Sequence, residues 1–186
     1  NVQRLCAKAR IPLRADIARA LQVEDLRVGA VCVYPALVGE AVNALQGTDI
    51  PVASVAAGFP DGLTTLATRV AEVESARQAG AREIDIVIRR GLVLRGDWQG
   101  LYDEIRAFRQ AAGKTHLKTI LGTGNLVSLT NVARASLVAM MAGADFIKTS
   151  TGKESVNANL PASLVMLRAI RVYHQRTGFM GGFKPA

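Results

Sequence analysis

Short apolar segments that favour β-strands alternate with amphipathic helical patterns along the whole chain. The helical patterns end at glycines such as Gly80, Gly113 and Gly143, and a new apolar segment follows each of them. Six strands are predicted in this way, near Val31, Val55, Asp85, Lys118, Ile147 and Phe183. Strands separated by helices pair in parallel, and helices cover both faces of the sheet. The pattern therefore predicts an α/β fold.

Two parallel architectures fit this alternation, an open doubly wound sheet and a TIM-type (β/α)₈ barrel. A barrel has eight strands, and six are predicted here. The chain begins on a helical pattern with no strand before it, and it stops directly after the last predicted strand, at residues 182–185. We therefore predict a (β/α)₈ barrel that lacks its first strand and its last βα segments. On this prediction, residues 1–186 are one domain that is incomplete at both ends.

The composition is that of an ordinary globular protein, with 49% hydrophobic and 20% charged residues. No apolar run reaches the roughly 18 residues of a membrane span, and residues 1–4 do not resemble a signal peptide. Cys6 and Cys32 lack metal-ligand spacing, so no metal is predicted, and reduced thiols in the cytoplasm are expected. The net charge of +8 is scattered with few aromatic residues nearby, which argues against a nucleic-acid surface.

Polar side chains occur at alternate positions inside the predicted strands, where apolar residues are usual. Because successive side chains on a strand point to opposite faces, these polar residues share one face and their apolar neighbours share the other. The apolar neighbours can pack against the outer helices, which leaves the polar residues on the interior face. They are Cys32, Asp85, Lys118, Lys148 and Lys184. Barrel interiors are usually filled by branched apolar side chains, so this set indicates a functional site.

Three lysines and one aspartate on an interior face suit amine catalysis. Inward ammonium groups disfavour one another's charge, and burial disfavours it further. An uncharged lysine attacks a carbonyl, and the resulting Schiff base stabilises a carbanion on the neighbouring carbon. Asp85 could hold one lysine charged and pass protons through it or through water. A purely structural ion pair is the alternative, but the excess of positive charge favours a functional site because burying unbalanced charge is costly.

A turn rich in hydroxyl groups follows the strand that carries Lys148. Residues 149–153 are Thr-Ser-Thr-Gly-Lys, and they connect this strand to the next helix. The backbone amides, the hydroxyl groups and the Lys153 side chain could bind a phosphate group. Such turns are common between strands and helices, so the motif alone is weak. Its position directly after Lys148 favours a phosphorylated substrate.

Two lysine-bearing motifs resemble the deoxyribose-phosphate aldolase family, and its animal-type members more than the shorter bacterial ones. They are Phe-Ile-Lys-Thr-Ser-Thr-Gly-Lys at residues 146–153 and Gly-Phe-Lys-Pro-Ala at residues 182–186. The similarity extends over the whole chain, including residues 31–35, 54–60 and 83–87. The resemblance implies a class I aldolase on a (β/α)₈ barrel that needs no metal or organic cofactor. It also implies reversible cleavage of 2-deoxy-D-ribose 5-phosphate to acetaldehyde and D-glyceraldehyde 3-phosphate, in deoxyribonucleoside catabolism.

The resemblance also implies a role for each motif residue. Lys148 would form the Schiff base, Lys184 would favour its uncharged form and relay protons, and Asp85 would exchange protons with Lys184. Cys32 and Lys118 would line the substrate pocket. The residues expected near the phosphate are Thr151, Gly152 and Lys153. A small phosphorylated sugar is the expected partner, without nucleic acid or a membrane, and a homo-oligomer is compatible with the resemblance.

The chain departs from the family pattern at several positions. Gly-Thr-Gly-Asn at residues 122–125 replaces the family's Glu-Thr-Gly-Glu, and Gly181 replaces an apolar residue. The glycine pair, arginine and final strand that supply most of the family's phosphate site would follow Ala186. Two alternatives stay open: another Schiff-base barrel aldolase of the transaldolase type, and a truncated, non-catalytic barrel that binds sugar phosphates.

Overall fold

Six short strands form one parallel sheet in the order in which they occur in the chain. The structure is a computed structural model that describes residues Asn1–Ala186. Every pair of neighbouring strands is parallel. The strands are β1 (Val31–Val33), β2 (Val52–Ala56), β3 (Glu83–Val87), β4 (His116–Ile120), β5 (Phe146–Lys148) and β6 (Gly182–Lys184).

The strand order distinguishes a barrel from a doubly wound sheet. An open doubly wound sheet reverses its order at a switch point, whereas the order here follows the chain, with a helix in every connection. The predicted α/β barrel fold is therefore confirmed. The six strands form an unclosed part of such a barrel, with β1 and β6 at its edges.

Helices precede the sheet and connect its strands. They are α1 (Val2–Arg10), α2 (Ala15–Ala20), α3 (Val38–Ala44), α4 (Leu66–Gln78), α5 (Arg90–Leu94), α6 (Trp98–Ala112), α7 (Leu129–Met141) and α8 (Leu160–Thr177). The longest four begin at a side chain that accepts a hydrogen bond from an amide of the first turn. These capping residues are Thr65, Asp97, Ser128 and Asn159. None of the eight helices has the combination of length and apolar character that crossing a membrane requires.

The main apolar core lies between the outer face of the sheet and the helices. Ile84 and Ile86 on β3 are fully buried there. Leu101, Ile105 and Phe108 on α6 belong to the same buried cluster, as their helical spacing predicts. The apolar side chains on the outer face of the strands thus pack against the helices, and the polar side chains lie on the opposite face.

A buried arginine on α4 joins the carboxyl-terminal ends of two strands. Arg69 is fully buried and donates to the carbonyl oxygens of Ala57, directly after β2, and Val87 at the end of β3, at 2.9 and 2.5 Å. Its Nη1 atom lies 2.5 Å from the Glu104 carboxylate on α6, which also accepts from the Arg89 amide. The buried charge is therefore paired and hydrogen-bonded, as burial requires. These contacts fix the end of β3 close to the candidate aspartate.

Candidate active site

The sheet register places the predicted polar residues on one interior face. Asp85 on β3 lies opposite Lys118 on β4, and Lys148 on β5 lies opposite Lys184 on β6. The register through β2 brings Cys32 on β1 to the same face. Opposed residues on neighbouring strands share a face, as do residues two apart on one strand. Five strands that are distant in sequence therefore bring these side chains together.

The Asp85 carboxylate lies between two lysines and pairs with both. Its Oδ1 atom is 2.8 Å from Nζ of Lys118, and its Oδ2 atom is 2.8 Å from Nζ of Lys148. All three side chains are buried. One carboxylate thus accepts a charge-assisted hydrogen bond on each oxygen. This arrangement fixes the relative positions of β3, β4 and β5 at the candidate site.

Glu83 is a member of this cluster that the sequence analysis did not identify. It lies two residues before Asp85 on the interior face of β3, and its Oε2 atom is 2.6 Å from Nζ of Lys118. The cluster is therefore a row of alternating charges: Glu83, Lys118, Asp85 and Lys148. The period-2 alternation that selected Asp85 also applies to Glu83, so the signal was present in the sequence. A charged residue at the first position of a strand is easily taken for a solvated strand end.

The charges of the cluster shift the pKa values of its members in opposite directions. Burial alone would raise the pKa of Asp85, but Lys118 and Lys148 together lower it below its usual value. Burial alone would lower the pKa of Lys118, but Asp85 and then Glu83 outweigh this effect and raise it. Asp85 is therefore an ionised carboxylate at neutral pH, and Lys118 is an ammonium group.

Lys184 and Cys32 lie on the same face but outside the row of ion pairs. Lys184 is half-buried beside Lys148 and forms no ion pair, so the structure pairs Asp85 with Lys148 and Lys118 instead of Lys184. Cys32 lies on an edge strand with its side chain exposed. Partial burial and the nearby Asp85 raise the pKa of its thiol, and the lysines only partly oppose this. A protonated thiol in this position suits lining a pocket better than nucleophilic attack.

The turn after β5 is held mainly by contacts within the chain. The Thr149 and Ser150 hydroxyl groups bond to the backbone of Ala186, and the Thr151 amide donates to the Glu154 carboxylate at 2.8 Å. The Lys153 amide donates to the Thr151 hydroxyl group at 3.1 Å. The Thr149 amide donates to the Lys184 carbonyl oxygen, so three amides of the predicted phosphate-binding turn already have partners. The Ser150 and Gly152 amides and the exposed Lys153 side chain form no hydrogen bond within the chain.

An ion pair across the mouth of the barrel supports this turn. Arg90, which follows β3, donates to Glu154 at 2.7 Å and to the Pro60 carbonyl oxygen in the connection after β2 at 3.2 Å. Both charged side chains are largely buried. The arginine lies directly over Gly122 in the connection after β4, where a Cβ atom would overlap its Nε atom. The loops after β2, β3, β4 and β5 thus meet at one arginine.

We expect alanine at position 122 to destabilise the fold more than alanine at Gly152. Both glycines have positive φ values, +67° and +79°, so an alanine at either site costs roughly 1–2 kcal/mol in backbone strain. A Cβ atom at Gly152 meets no neighbour, whereas one at Gly122 displaces Arg90. Urea unfolding should show a loss of about 1 kcal/mol for Gly152→Ala and about 2–3 kcal/mol for Gly122→Ala. Equal losses of unfolding free energy in the two variants would show that a Cβ atom at position 122 does not disturb Arg90.

The arrangement of charged groups is suited to covalent chemistry with a carbonyl compound. A lysine amine that has lost its proton can add to an aldehyde, and the iminium ion that follows carries a positive charge. The ionised Asp85, 2.8 Å from Lys148, lies where it would stabilise that charge without a change of position. The exposed lysines on the outer surface form no ion pair, so the two lysines bound to Asp85, Lys118 and Lys148, are the candidates for the nucleophile.

Comparisons of the sequence agree with these observations. The profile of the DeoC/LacD family aldolases matches residues 3–185. The chain is 62% identical to deoxyribose-phosphate aldolase from Mus musculus and 60% identical to the enzyme of that name from Homo sapiens, over 190 residues in each case. These matches include 100% of this chain and 60% of each mammalian protein, so the chain spans about three-fifths of their length.

Solved structures show the same fold. A protein from Coccidioides immitis described as a putative deoxyribose-phosphate aldolase superposes with a TM-score of 0.79 at 28% identity, over 94% of this chain and 68% of that one. A protein from Toxoplasma gondii with the same description gives a TM-score of 0.77 at 26% identity, over 95% of this chain and 63% of that one. With the match over residues 3–185 and the identity to the mammalian enzymes, we conclude that the chain belongs to the DeoC/LacD family of aldolases.

Proposed function

We propose that this chain carries the catalytic lysine of a deoxyribose-phosphate aldolase. The proposed reaction is the reversible cleavage of 2-deoxy-D-ribose 5-phosphate to acetaldehyde and D-glyceraldehyde 3-phosphate. The observation that carries the proposal is the buried Asp85 carboxylate, which lies 2.8 Å from Lys148 and 2.8 Å from Lys118. The relatives with 60–62% identity are deoxyribose-phosphate aldolases, which supports this choice of substrate.

The proposed mechanism begins at Lys148. Its uncharged amine adds to the aldehyde carbon of the open-chain sugar and water leaves, which forms an iminium ion. The bond between the second and third carbons then breaks, and its electron pair moves to the iminium nitrogen. The proton of the hydroxyl group on the third carbon passes to a base as the phosphorylated aldehyde departs. Protonation of the enamine and addition of water release acetaldehyde and restore the amine.

Asp85 and Lys184 have different parts in this proposal. Because the pKa of Asp85 is lowered, mainly by Lys118 and Lys148 against the effect of burial, the carboxylate stays ionised and stabilises the iminium charge. Lys184 has no carboxylate partner and lies opposite Lys148 in the sheet, so it can exchange protons with the substrate directly or through water. Asp85 takes part in this relay through water between the lysines. The iminium nitrogen formed on Lys148 accepts the electron pair of the broken bond, so the reaction requires no metal or organic cofactor.

The remaining residues are proposed to bind the substrate. Cys32 and Lys118 line the pocket, while the Gly152 amide and the Lys153 side chain, with Thr151 beside them, bind the phosphate group. The open groups of this turn support that assignment, as does the Arg90–Glu154 ion pair that holds it. We also propose that the protein is located in the cytoplasm, because Cys6 and Cys32 are expected to be reduced thiols. We further propose that it assembles into a homo-oligomer.

Substrate cleavage tests the proposal. The purified protein that carries this sequence should release glyceraldehyde 3-phosphate from 2-deoxyribose 5-phosphate in a coupled dehydrogenase assay. A panel of ketose phosphates provides the comparison with the transaldolase type. Turnover of a ketose phosphate in preference to deoxyribose phosphate would replace the proposal with that alternative. Binding of sugar phosphates without any cleavage would favour the non-catalytic alternative.

A further inference from the structure

Two buried lysines have almost the same relation to Asp85. Lys118 and Lys148 each place Nζ 2.8 Å from one oxygen of its carboxylate. Their exposed fractions are 4% and 6%, so both are removed from water to the same degree. Neither the distance to Asp85 nor burial explains why one of them and not the other would act as an uncharged nucleophile.

Glu83 is the group that makes the two lysines different. Its carboxylate lies 2.6 Å from Nζ of Lys118, and it forms no ion pair with Lys148. Lys118 therefore has two carboxylate partners, Glu83 and Asp85, whereas Lys148 has only Asp85. Each carboxylate close to a lysine favours its charged form. Glu83 is itself largely buried, with 16% of its side chain exposed, so water screens the interaction only partly.

The other groups that face Lys118 do not provide a second carboxylate. Lys148 on β5 shares the Asp85 carboxylate with Lys118, and Lys184 lies beside Lys148 on β6. Cys32 approaches from β1 with a pKa raised by partial burial and by Asp85. Asp85 and Glu83 on β3 are thus the two acidic groups that keep Lys118 charged.

We propose that Glu83 is a positioning residue that selects the nucleophile, because it holds Lys118 as an ammonium ion and leaves the reaction to Lys148. This inference rests on the proposed function, in which a lysine of the cluster forms a Schiff base. It goes further in assigning a role to an acidic residue that does not touch the reacting lysine.

The inference can be tested through the addition of a lysine amine to an aldehyde. An uncharged lysine amine adds to acetaldehyde and loses water, which gives an iminium ion. Borohydride then delivers a hydride to the iminium carbon and leaves a stable secondary amine, so each adduct marks a lysine that was uncharged. Peptide mass mapping of the reduced protein reports the ratio of adduct at Lys118 to adduct at Lys148.

The informative variant is Glu83→Gln, with Glu74→Gln on the exposed face of α4 as the matched control. In the wild-type protein and in Glu74→Gln, we expect the adduct on Lys148. In Glu83→Gln, the uncharged fraction of Lys118 should rise about tenfold for each unit by which its pKa falls. The adduct ratio of Lys118 to Lys148 should therefore rise by about tenfold or more. In Glu83→Gln/Lys118→Met the adduct should return to Lys148 alone.

An adduct ratio in Glu83→Gln equal to that of Glu74→Gln would overturn the inference. Absence of any Lys148 adduct in the wild-type protein would contradict the proposed function instead. The role of Glu83 would still be measured in that case by competitive acylation with acetic anhydride, which reports the uncharged fraction of each lysine without a Schiff base. If Glu83→Gln fails to fold, the same acylation can be carried out on the wild-type protein. The inference then predicts that Lys118 requires a higher pH than Lys148 to react.

Discussion

Replacing Lys148 by methionine should reduce the cleavage of deoxyribose phosphate by at least about 10³-fold, because the covalent pathway is lost with its amine. The protein should still fold, since Asp85 keeps Lys118 as its partner. The measurement is the turnover of 2-deoxyribose 5-phosphate in the full-length protein that carries this sequence, with thermal unfolding to confirm the fold.

The matched control for this prediction is Lys118→Met, which makes the same chemical change at the other lysine bound to Asp85. That variant keeps the proposed nucleophile, so it should retain more turnover than Lys148→Met at saturating substrate, with a raised KM from the altered pocket. The opposite pattern, a dead Lys118→Met and an active Lys148→Met, would assign the nucleophile to Lys118.

Replacing Asp85 by asparagine should cost about 3–5 kcal/mol of unfolding free energy at neutral pH, because two buried ammonium groups lose their shared counter-charge. Urea unfolding measures the loss. In Asp85→Asn, Lys118 still has Glu83 as a counter-charge, whereas Lys148 has no carboxylate partner left. The double variant Asp85→Asn/Lys148→Met removes that uncompensated charge, so it should be more stable than Asp85→Asn alone. A double variant that is less stable would show that Lys148 stabilises the fold through packing and not through its charge.

The cost of Asp85→Asn should also depend on pH. The pKa of Asp85 is lowered in the folded protein by Lys118 and Lys148, against the effect of burial. Its contribution to stability is therefore fully present above the unfolded-state value of roughly 3.9 and is lost as the pH falls through the folded-state value. The stability difference between wild type and Asp85→Asn should shrink in acid, where Asp85 is protonated. A difference that stays constant down to acid unfolding would contradict the ionic role.

The sequence was sufficient for the sheet and for most of the cluster. Both predictions depend on the two-residue period of a strand, which places Ile84 and Ile86 on the outer face and Asp85 between them on the inner face. A polar residue at an interior position of a buried parallel strand stands out against its apolar neighbours. This contrast found the lysines and the aspartate on four different strands without any knowledge of their distances.

The remaining contacts depend on partners that are remote in the sequence. Arg69 on α4 is buried because carbonyl oxygens from two strands and Glu104 satisfy its guanidinium. The Arg90–Glu154 pair likewise joins residues that are 64 positions apart. Local periodicity contains no information on these pairings, since each is created by the curvature of the barrel.

The site of Schiff-base formation is the measurement that tests the account most directly. The purified full-length protein would be incubated with 2-deoxyribose 5-phosphate, reduced with borohydride and mapped by peptide mass spectrometry. We expect one adduct, on Lys148, and a Lys148→Met variant that gives none at that position. An adduct on Lys118, Lys184 or a surface lysine in the wild-type protein, or no adduct while the sugar is being cleaved, would contradict the assignment of Lys148 as the nucleophile.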